Sequence, residues 1–142
     1  MVVIYMGLDY GKRSIGVAIG QTITKTADPL KVVTAQKGVP NWAEMDELIK
    51  RYQPKALVLG WPLNMDGSEQ NLTKAVAVFQ KNLEKRYGLS CYTVDERLTT
   101  YEAKQLLGKK KVNKAEVDMM SAVLILEAWL NTQPDEPVGP HK

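Results

Sequence analysis

The sequence is poor in the residues that support several common catalytic chemistries. Its 142 residues include one cysteine, Cys91, and one histidine, His141. A single cysteine has no partner for an internal disulfide, and no Cys/His spacing typical of a zinc site is present. A single histidine beside the C-terminal residue argues against Ser-His-Asp triads and histidine general bases. Any chemistry should therefore depend on carboxylates, lysines, hydroxyls or a bound metal ion.

Long apolar segments are also missing. No stretch is long enough to span a membrane as a helix, and the N-terminus lacks the basic region and cleavage site of a signal peptide. Together with the scarcity of cysteine, this leads us to expect a reducing, cytoplasmic location and no membrane partner. Hydrophobic residues make up 44% and charged residues 25%, as in an ordinary globular domain. The net charge of +3 permits an acidic partner but does not single one out.

Apolar runs separated by turn residues predict an α/β domain. Strands are predicted at 2–8, 15–19, 30–33, 56–62 and 89–96, and helices at 41–52, 72–88, 99–108 and 114–130. Three strands in succession, followed by crossovers through helices, indicate a mixed five-stranded sheet. It combines a three-strand antiparallel meander with parallel strands and is flanked by helices. We expect residues 1–131 to form this domain and residues 132–142, with three prolines, to be a flexible tail.

Acidic residues follow two of the predicted strands and lie on the last helix. Asp9 ends the first strand, Asp95 and Glu96 end the fifth, and Asp118 shares a helix face with Ala122. If the first, fourth and fifth strands are parallel, their carboxyl ends meet at one edge of the sheet. Taken singly, each acid is also explained by a turn, a solvated strand end or a helix N-terminus. Clustered carboxylates repel one another, and Mg²⁺ or Mn²⁺ would relieve that repulsion.

Basic residues are concentrated in loops near the same predicted edge. Such groups contact the phosphates of a polyanion in many proteins, but a solvated basic loop is an equally good interpretation. The residues concerned are Lys12, Arg13, Lys109, Lys110, Lys111 and Lys114. Arg97 has two interpretations as well, since it follows Asp95 and Glu96 closely enough either to pair with Asp95 or to reach a phosphate.

The loop after the fourth strand, with the sequence LNMDGSEQN, offers further polar groups. Asn64 and Ser68 are candidates for contact with a nucleic-acid backbone, and Gly67 between them permits a close approach. Trp61, just before this loop, has an aromatic face that stacks on bases in some proteins. Its position at the end of a buried strand favours a place in the core instead.

Four segments of the chain resemble the signature blocks of a known family. They are GLDYGKRSIGVAIG, VLGWPLNMDGSEQN, VDERLTTYEAKQLL and KAEVDMMSAVLILEAWL. In order and spacing, over residues 3–130, they look like the YqgF family, also called RuvX. Its bacterial members are described as Holliday junction resolvases and as pre-16S rRNA nucleases. The chain departs from the family pattern at Gly20-Gln21 and at Gln70-Asn71, and neither change touches an acidic position.

The resemblance implies an RNase H-like fold and a metal-dependent nuclease that hydrolyses phosphodiester bonds. Carried onto matching positions, Asp9, Glu96 and Asp118 become the catalytic acids and the ligands of two Mg²⁺ or Mn²⁺ ions. Neighbouring residues of a strand point to opposite faces, so only one of Asp95 and Glu96 should face the metal, and the family match favours Glu96. The implied substrate is a structured nucleic acid, with processing of the pre-16S rRNA 5′ end in ribosome biogenesis favoured.

Other functions remain open from the sequence. Within the nuclease interpretation, a Holliday junction in DNA is an alternative substrate. A nucleic-acid-binding protein that keeps the fold without catalysis is a second alternative, although all three acids are present. An Asp-x-Gly strand and hairpin also open actin-like sugar kinases and ATPases, but those enzymes close two such domains around a cleft, and 142 residues supply one.

Overall fold

The computed structural model describes residues 3–63, 66–67, 71–96 and 113–134. Six strands form one sheet in the order β4-β3-β2-β1-β5-β6. Their bounds are β1 Ile4–Asp9, β2 Ser14–Gln21, β3 Thr26–Gln36, β4 Val39–Pro40, β5 Ala56–Trp61 and β6 Ser90–Asp95. β1 pairs antiparallel with β2 and parallel with β5, and β5 pairs parallel with β6. The mixed α/β architecture and the shared carboxyl edge of the parallel strands are therefore confirmed.

Two features of the sheet differ from the sequence prediction. A sixth strand, β4, is only two residues long, too short to leave a periodic pattern. β3 begins before Pro29 rather than after it, because a bulge accommodates the proline. Val17 pairs with Lys31 and Ala18 with Pro29, so Leu30 is the extra residue. Proline lacks an amide hydrogen and is tolerated in a strand at such an irregularity.

Three helices lie within the described residues: α1 Trp42–Tyr52, α2 Asn71–Tyr87 and α3 Lys114–Leu130. The side chain of Asn113 caps α3 by accepting a hydrogen bond of 2.8 Å from the Glu116 amide, as the sequence predicted. α2 ends before Gly88, whose φ of +66° is a conformation that favours glycine. None of the described helices is both long and apolar enough to cross a membrane. The helix predicted at 99–108 and residues 135–142 of the predicted tail lie outside the described residues.

The sheet buries a separate apolar core on each face. On one face, α1 and α2 cover side chains of β1 and β2, with Met6, Leu8 and Phe79 among the most buried residues. On the other face, α3 is the one described helix that covers the sheet, with Ile125 and Leu126 fully buried. Successive strand residues alternate between faces, so Asp9 lies on the same face of β1 as Gly7, under α3.

Glycines line the sheet where α3 crosses it. A Cβ added at Gly7 would lie 2.7 Å from the Leu126 Cβ, and one at Gly60 would lie 2.6 Å from the Ile125 Cδ1. At Gly16 the added Cβ would lie only 2.0 Å from the backbone oxygen of Asp118. Real Cβ atoms do not approach so closely, so Gly7 and Gly16, which meet a Cβ and a backbone oxygen, must lack a side chain if α3 is to keep its distance from the sheet.

Replacing Gly16 should therefore destabilise the protein strongly. Gly16→Ala is expected to lower the free energy of unfolding by at least about 2 kcal/mol, because the new methyl group must displace α3. Gly88→Ala is the control: nothing lies within 4 Å of its Cβ, so only the left-handed backbone is penalised, by about 1 kcal/mol. Urea unfolding of both variants measures the difference. Equal losses would contradict the close contact at Gly16.

Candidate active site

Strand register and helix packing bring Asp9 and Asp118 together. Asp9, the last residue of β1, stands opposite Gly16 of β2. The backbone of Asp118 in α3 rests directly on Gly16. The Asp118 residue is buried, with 9% of its surface exposed, on the face of α3 that also buries Ser121 and Ala122. The two carboxylates therefore belong to one cluster, as their placement in the sequence predicted.

Glu96 reaches this cluster from the other side of β1. It is the first residue after β6, and β5 separates β6 from β1. The Glu96 carboxylate lies over Gly60 of β5, with its Oε2 3.0 Å from the position of a Cβ on that residue. Glu96 forms a hydrogen bond with Asp9. The exposed Asp95 does not contribute to the surroundings of Asp9, so the structure brings Glu96, rather than Asp95, beside it.

Burial and neighbouring charge both act on Asp9. Loss of solvent raises the pKa of the Asp9 carboxyl well above its usual range, and the negative charge of Glu96 raises it further. The hydrogen bond with Glu96 and the charge of Asp118 act in the same direction, and among the described residues Lys114 opposes them. The Asp9 carboxyl therefore holds a proton more readily than a solvated aspartate does.

Asp118 is neutralised differently, by a cation on its own helix. The Lys114 ammonium lies 3.0 Å from Oδ1 and 3.1 Å from Oδ2 of Asp118. The Ser14 hydroxyl at the start of β2 donates a hydrogen bond of 2.6 Å to Oδ2. The Lys114 side chain is itself largely exposed, at 72%, whereas that of Asp118 is 12% exposed. The carboxylate is therefore fixed in orientation, and the cation that neutralises it is free to exchange with solvent.

The donor chemistry of the cluster suits a hard divalent cation, but the contacts that are present must change to admit one. Carboxylate oxygens are the ligands that Mg²⁺ and Mn²⁺ prefer. The Lys114 ammonium already stands beside Asp118 as a positive charge. Within the described part of the chain, no three His, Cys, Asp or Glu side chains are arranged to hold a metal as they stand. Metal binding would thus require Lys114 to leave Asp118 and the Asp9 carboxyl to be in its charged form.

Of the remaining residues considered from the sequence, some lie within the described part of the chain and the others lie outside it. Lys12 and Arg13 are exposed in the turn between β1 and β2, close in sequence to Asp9. Trp61 packs against the core beneath α1 and α2, which agrees with its structural interpretation. The others lie outside the described residues: Asn64, Ser68, Arg97, Lys109, Lys110 and Lys111.

Two contacts of Asp118 were not anticipated from the sequence. The i, i+4 spacing of Lys114 and Asp118 on one helix is a signal that would have found their ion pair. Ser14 is 104 residues away from Asp118 in the chain, and no local pattern connects them. Only the packing of α3 on β2 reveals that contact.

Comparison with solved structures shows which class of proteins shares this fold. Among solved structures, Thermus thermophilus RuvC bound to a Holliday junction substrate aligns with 92% of this chain and 97% of its own. The TM-score is 0.54 at 16% sequence identity. The Holliday junction resolvase of fowlpox virus aligns over 92% of this chain and 100% of its own, with a TM-score of 0.52 at 10% identity. The chain thus has the RNase H-like fold of the resolvases.

Sequence comparison identifies the family within that class. The model of the family described as "RuvX: Holliday junction resolvase" matches residues 3–132. A protein of Shewanella denitrificans is 48% identical over 92% of this chain and 95% of its own length. One from Aeromonas salmonicida is 50% identical over 90% and 94%, and both are named "Putative pre-16S rRNA nuclease". The chain belongs to the RuvX family, and it is a nuclease of the phosphodiester hydrolase class.

Removing the charge of Asp9 should stabilise the metal-free protein. A carboxyl whose pKa is higher in the folded state than in the unfolded state lowers stability once the pH exceeds the unfolded value. Asp9→Asn keeps the shape and should raise Tm at pH 7 in EDTA by roughly 2–4 °C, the shift that about 1 kcal/mol produces in a domain of this size. The wild type should also gain stability when the pH is lowered from 7 to 5, and Asp9→Asn should gain less.

The matched control for this prediction is Asp28→Asn, because Asp28 is an exposed carboxylate on β3. It should leave Tm and its pH dependence close to those of the wild type. Thermal melting followed by circular dichroism at both pH values decides the matter. A lower Tm for Asp9→Asn than for the wild type at pH 7 would show that the Asp9 charge does not destabilise the folded protein.

Proposed function

We propose that the chain is a metal-dependent nuclease whose catalytic acids are Asp9, Glu96 and Asp118. The observation that supports this most directly is the convergence of the three acids at the carboxyl edge of the parallel strands, where burial and like charge raise the pKa of Asp9. Such an arrangement disfavours the charged carboxylates in the absence of a cation, and perturbed acids of this kind are typical of functional sites. The fold alone does not require three acids to meet at this edge of the sheet.

The three acids would hold Mg²⁺ or Mn²⁺ with their carboxylate oxygens. When bound, two such ions supply a deprotonated water for attack on a phosphodiester and stabilise the leaving oxygen. Asp118 is held in orientation by Ser14, so one ligand direction is set before any ion arrives. Lys114, once it leaves Asp118, carries a mobile positive charge at the edge of the site, where it can contact a substrate phosphate.

The substrate we favour is pre-16S rRNA, processed at its 5′ end during ribosome biogenesis. This choice is supported by the names of relatives at 45–50% identity that cover most of the chain. A Holliday junction in DNA is the second candidate, favoured by the family description and by the resolvase fold. A pre-rRNA substrate agrees with the cytoplasmic location expected from the sequence, which stays a prediction.

Cleavage assays with purified protein should separate these possibilities. Labelled RNA carrying the pre-16S 5′ region and a labelled four-way DNA junction are incubated with Mn²⁺ and, separately, with EDTA. We expect cleavage of the RNA with Mn²⁺ only. Asp118→Asn should lower the rate by at least about a hundredfold, a larger effect than loss of a residue that only supports a metal ligand. Asp95→Asn is the control and should stay active.

Lys114 should compete with metal for Asp118, so its removal should have opposite effects on two measurements. Lys114→Met leaves the carboxylates without their cation, and Tm in EDTA should fall. The gain in Tm on adding Mn²⁺ should increase, because metal no longer displaces an ammonium, and stabilisation follows the logarithm of metal concentration over its dissociation constant.

Lys55→Met is the matched control, since Lys55 precedes β5 at the opposite edge of the sheet. It should leave both measurements unchanged. Thermal melting across Mn²⁺ concentrations gives both quantities for all three proteins. A smaller Mn²⁺ response in Lys114→Met than in the wild type would contradict the competition.

A further inference from the structure

A groove lies on the face of the sheet that α1 and α2 cover, between the turn that joins β3 to β4 and one side of α2. Its lining includes Lys12 from the β1–β2 turn, Lys37 and Val39 from the β3–β4 turn, and Val78 and Asn82 from α2. We call this the α2 groove. The β1–β2 and β3–β4 turns that line it lie at the carboxyl edge of β1. The acidic cluster lies at the same edge of the sheet but on the opposite face, under α3.

The two turns that form one side of the α2 groove are tied together. The Gly38 amide donates a hydrogen bond of 2.9 Å to the backbone oxygen of Lys12. The Tyr10 hydroxyl donates another to the backbone oxygen of Gly38. Gly38 has a φ of +85°, and a Cβ there would lie 2.8 Å from the Tyr10 hydroxyl. The spacing of Lys12 and Lys37 is therefore set by the fold and does not depend on a free loop.

The charge of the α2 groove is uncompensated. Two other cations on this side of the molecule have acidic partners: Lys31 pairs with Glu44 at 3.3 Å, and Arg86 pairs with Asp46 at 2.6 Å. Lys12 and Lys37 are both exposed, and neither forms an ion pair with a described residue. Among the described residues that line the groove, none is acidic. This surface is complementary to a polyanion.

The α2 groove also exposes apolar surface beside these charges. Val39 is 60% exposed and Val78 is 59% exposed, and the two lie in the same groove. Single exposed apolar residues are ordinary on protein surfaces. Two of them in one groove can pack against the faces of unpaired bases, and the ammonium groups beside them can contact phosphates. The Asn82 amide, next to Val78 along α2, can contact base edges. A duplex keeps its base faces hidden and would present only phosphates here.

We propose that the α2 groove binds an unpaired strand of the nucleic-acid substrate, which passes from the acidic cluster around the edge of the sheet that the cluster and the groove share. Lys12 and Lys37 contact successive phosphates, and Val39 and Val78 pack against the bases. The proposal rests on the proposed nuclease function, because it takes the substrate of that site as its ligand. It assigns recognition of single-stranded nucleic acid to the described part of the chain, at the same edge of the sheet as the acidic cluster.

Binding of two labelled RNAs in EDTA tests the proposal without cleavage. One is a hairpin with an unpaired 5′ extension, and the other is the same hairpin without it. The double variant Lys12→Gln/Lys37→Gln should bind the extended RNA about tenfold more weakly, and its slope of log affinity against log salt should decrease by about 1.4, the value for two single-strand phosphates. Fluorescence anisotropy at several salt concentrations measures both.

A second variant separates the apolar contribution from the charge. Val39→Ser/Val78→Ser should weaken binding of the extended RNA several-fold and leave the salt slope unchanged. Lys55→Gln and Ile23→Ser are matched controls, because both residues are exposed and lie at the opposite edge of the sheet. Neither control should alter binding. Melting curves of all variants verify that they are folded.

Each outcome decides the proposal. Wild-type affinity for the extended RNA in all variants would overturn the proposal. The groove would then be a candidate site for another kind of partner, such as a protein. Equal losses for the extended and the blunt hairpin would also overturn it, because the contacts would then be to duplex phosphates. Failure of the proposed function itself is distinguishable, since the wild type would then cleave neither RNA nor DNA in Mn²⁺, whatever the variants bind.

Discussion

The close contact of α3 with the sheet is the constraint on which the rest of the site depends. Gly16 has no side chain, and so the backbone of Asp118 can rest on β2 directly opposite Asp9. Gly60 does the same for Glu96, whose carboxylate crosses β5 above it. A methyl group at either position would push a carboxylate away from the cluster. The glycines under α3 thus determine both the packing of one core and the spacing of the acids.

This contact concentrates negative charge in a partly buried place, and the protein compensates for it in two ways. Asp9 and Glu96 form a hydrogen bond, and the raised pKa of Asp9 favours a proton on the Asp9 carboxyl. Asp118 instead has a Lys114 ammonium and a Ser14 hydroxyl. Both arrangements are reversible, since a proton can leave and an exposed lysine can move. The energy stored in the repulsion is what a divalent cation would relieve.

The candidate site was predictable from the sequence to the extent that it depends on chain topology. Asp9 and Glu96 follow strands whose parallel order was implied by helical crossovers, so their common edge could be expected. The choice of Glu96 over Asp95 needed either the family resemblance or the position of Gly60. The contact of Ser14 with Asp118 was out of reach, because it joins residues 104 positions apart and follows from helix packing alone.

Local physical chemistry in the sequence determined the apolar strands, the caps of the helices and the exclusion of histidine and disulfide chemistry. These depend on residues near one another in the chain, where period, turn and capping preferences act directly. The tertiary structure alone decided which lysines are free. Lys12 and Lys37 stand beside Val39 and Val78 with no ion pair to a described residue, while Lys114 is held by Asp118. Electrostatic pairing is a matter of distance in space, and distance between remote segments is set only when the chain packs.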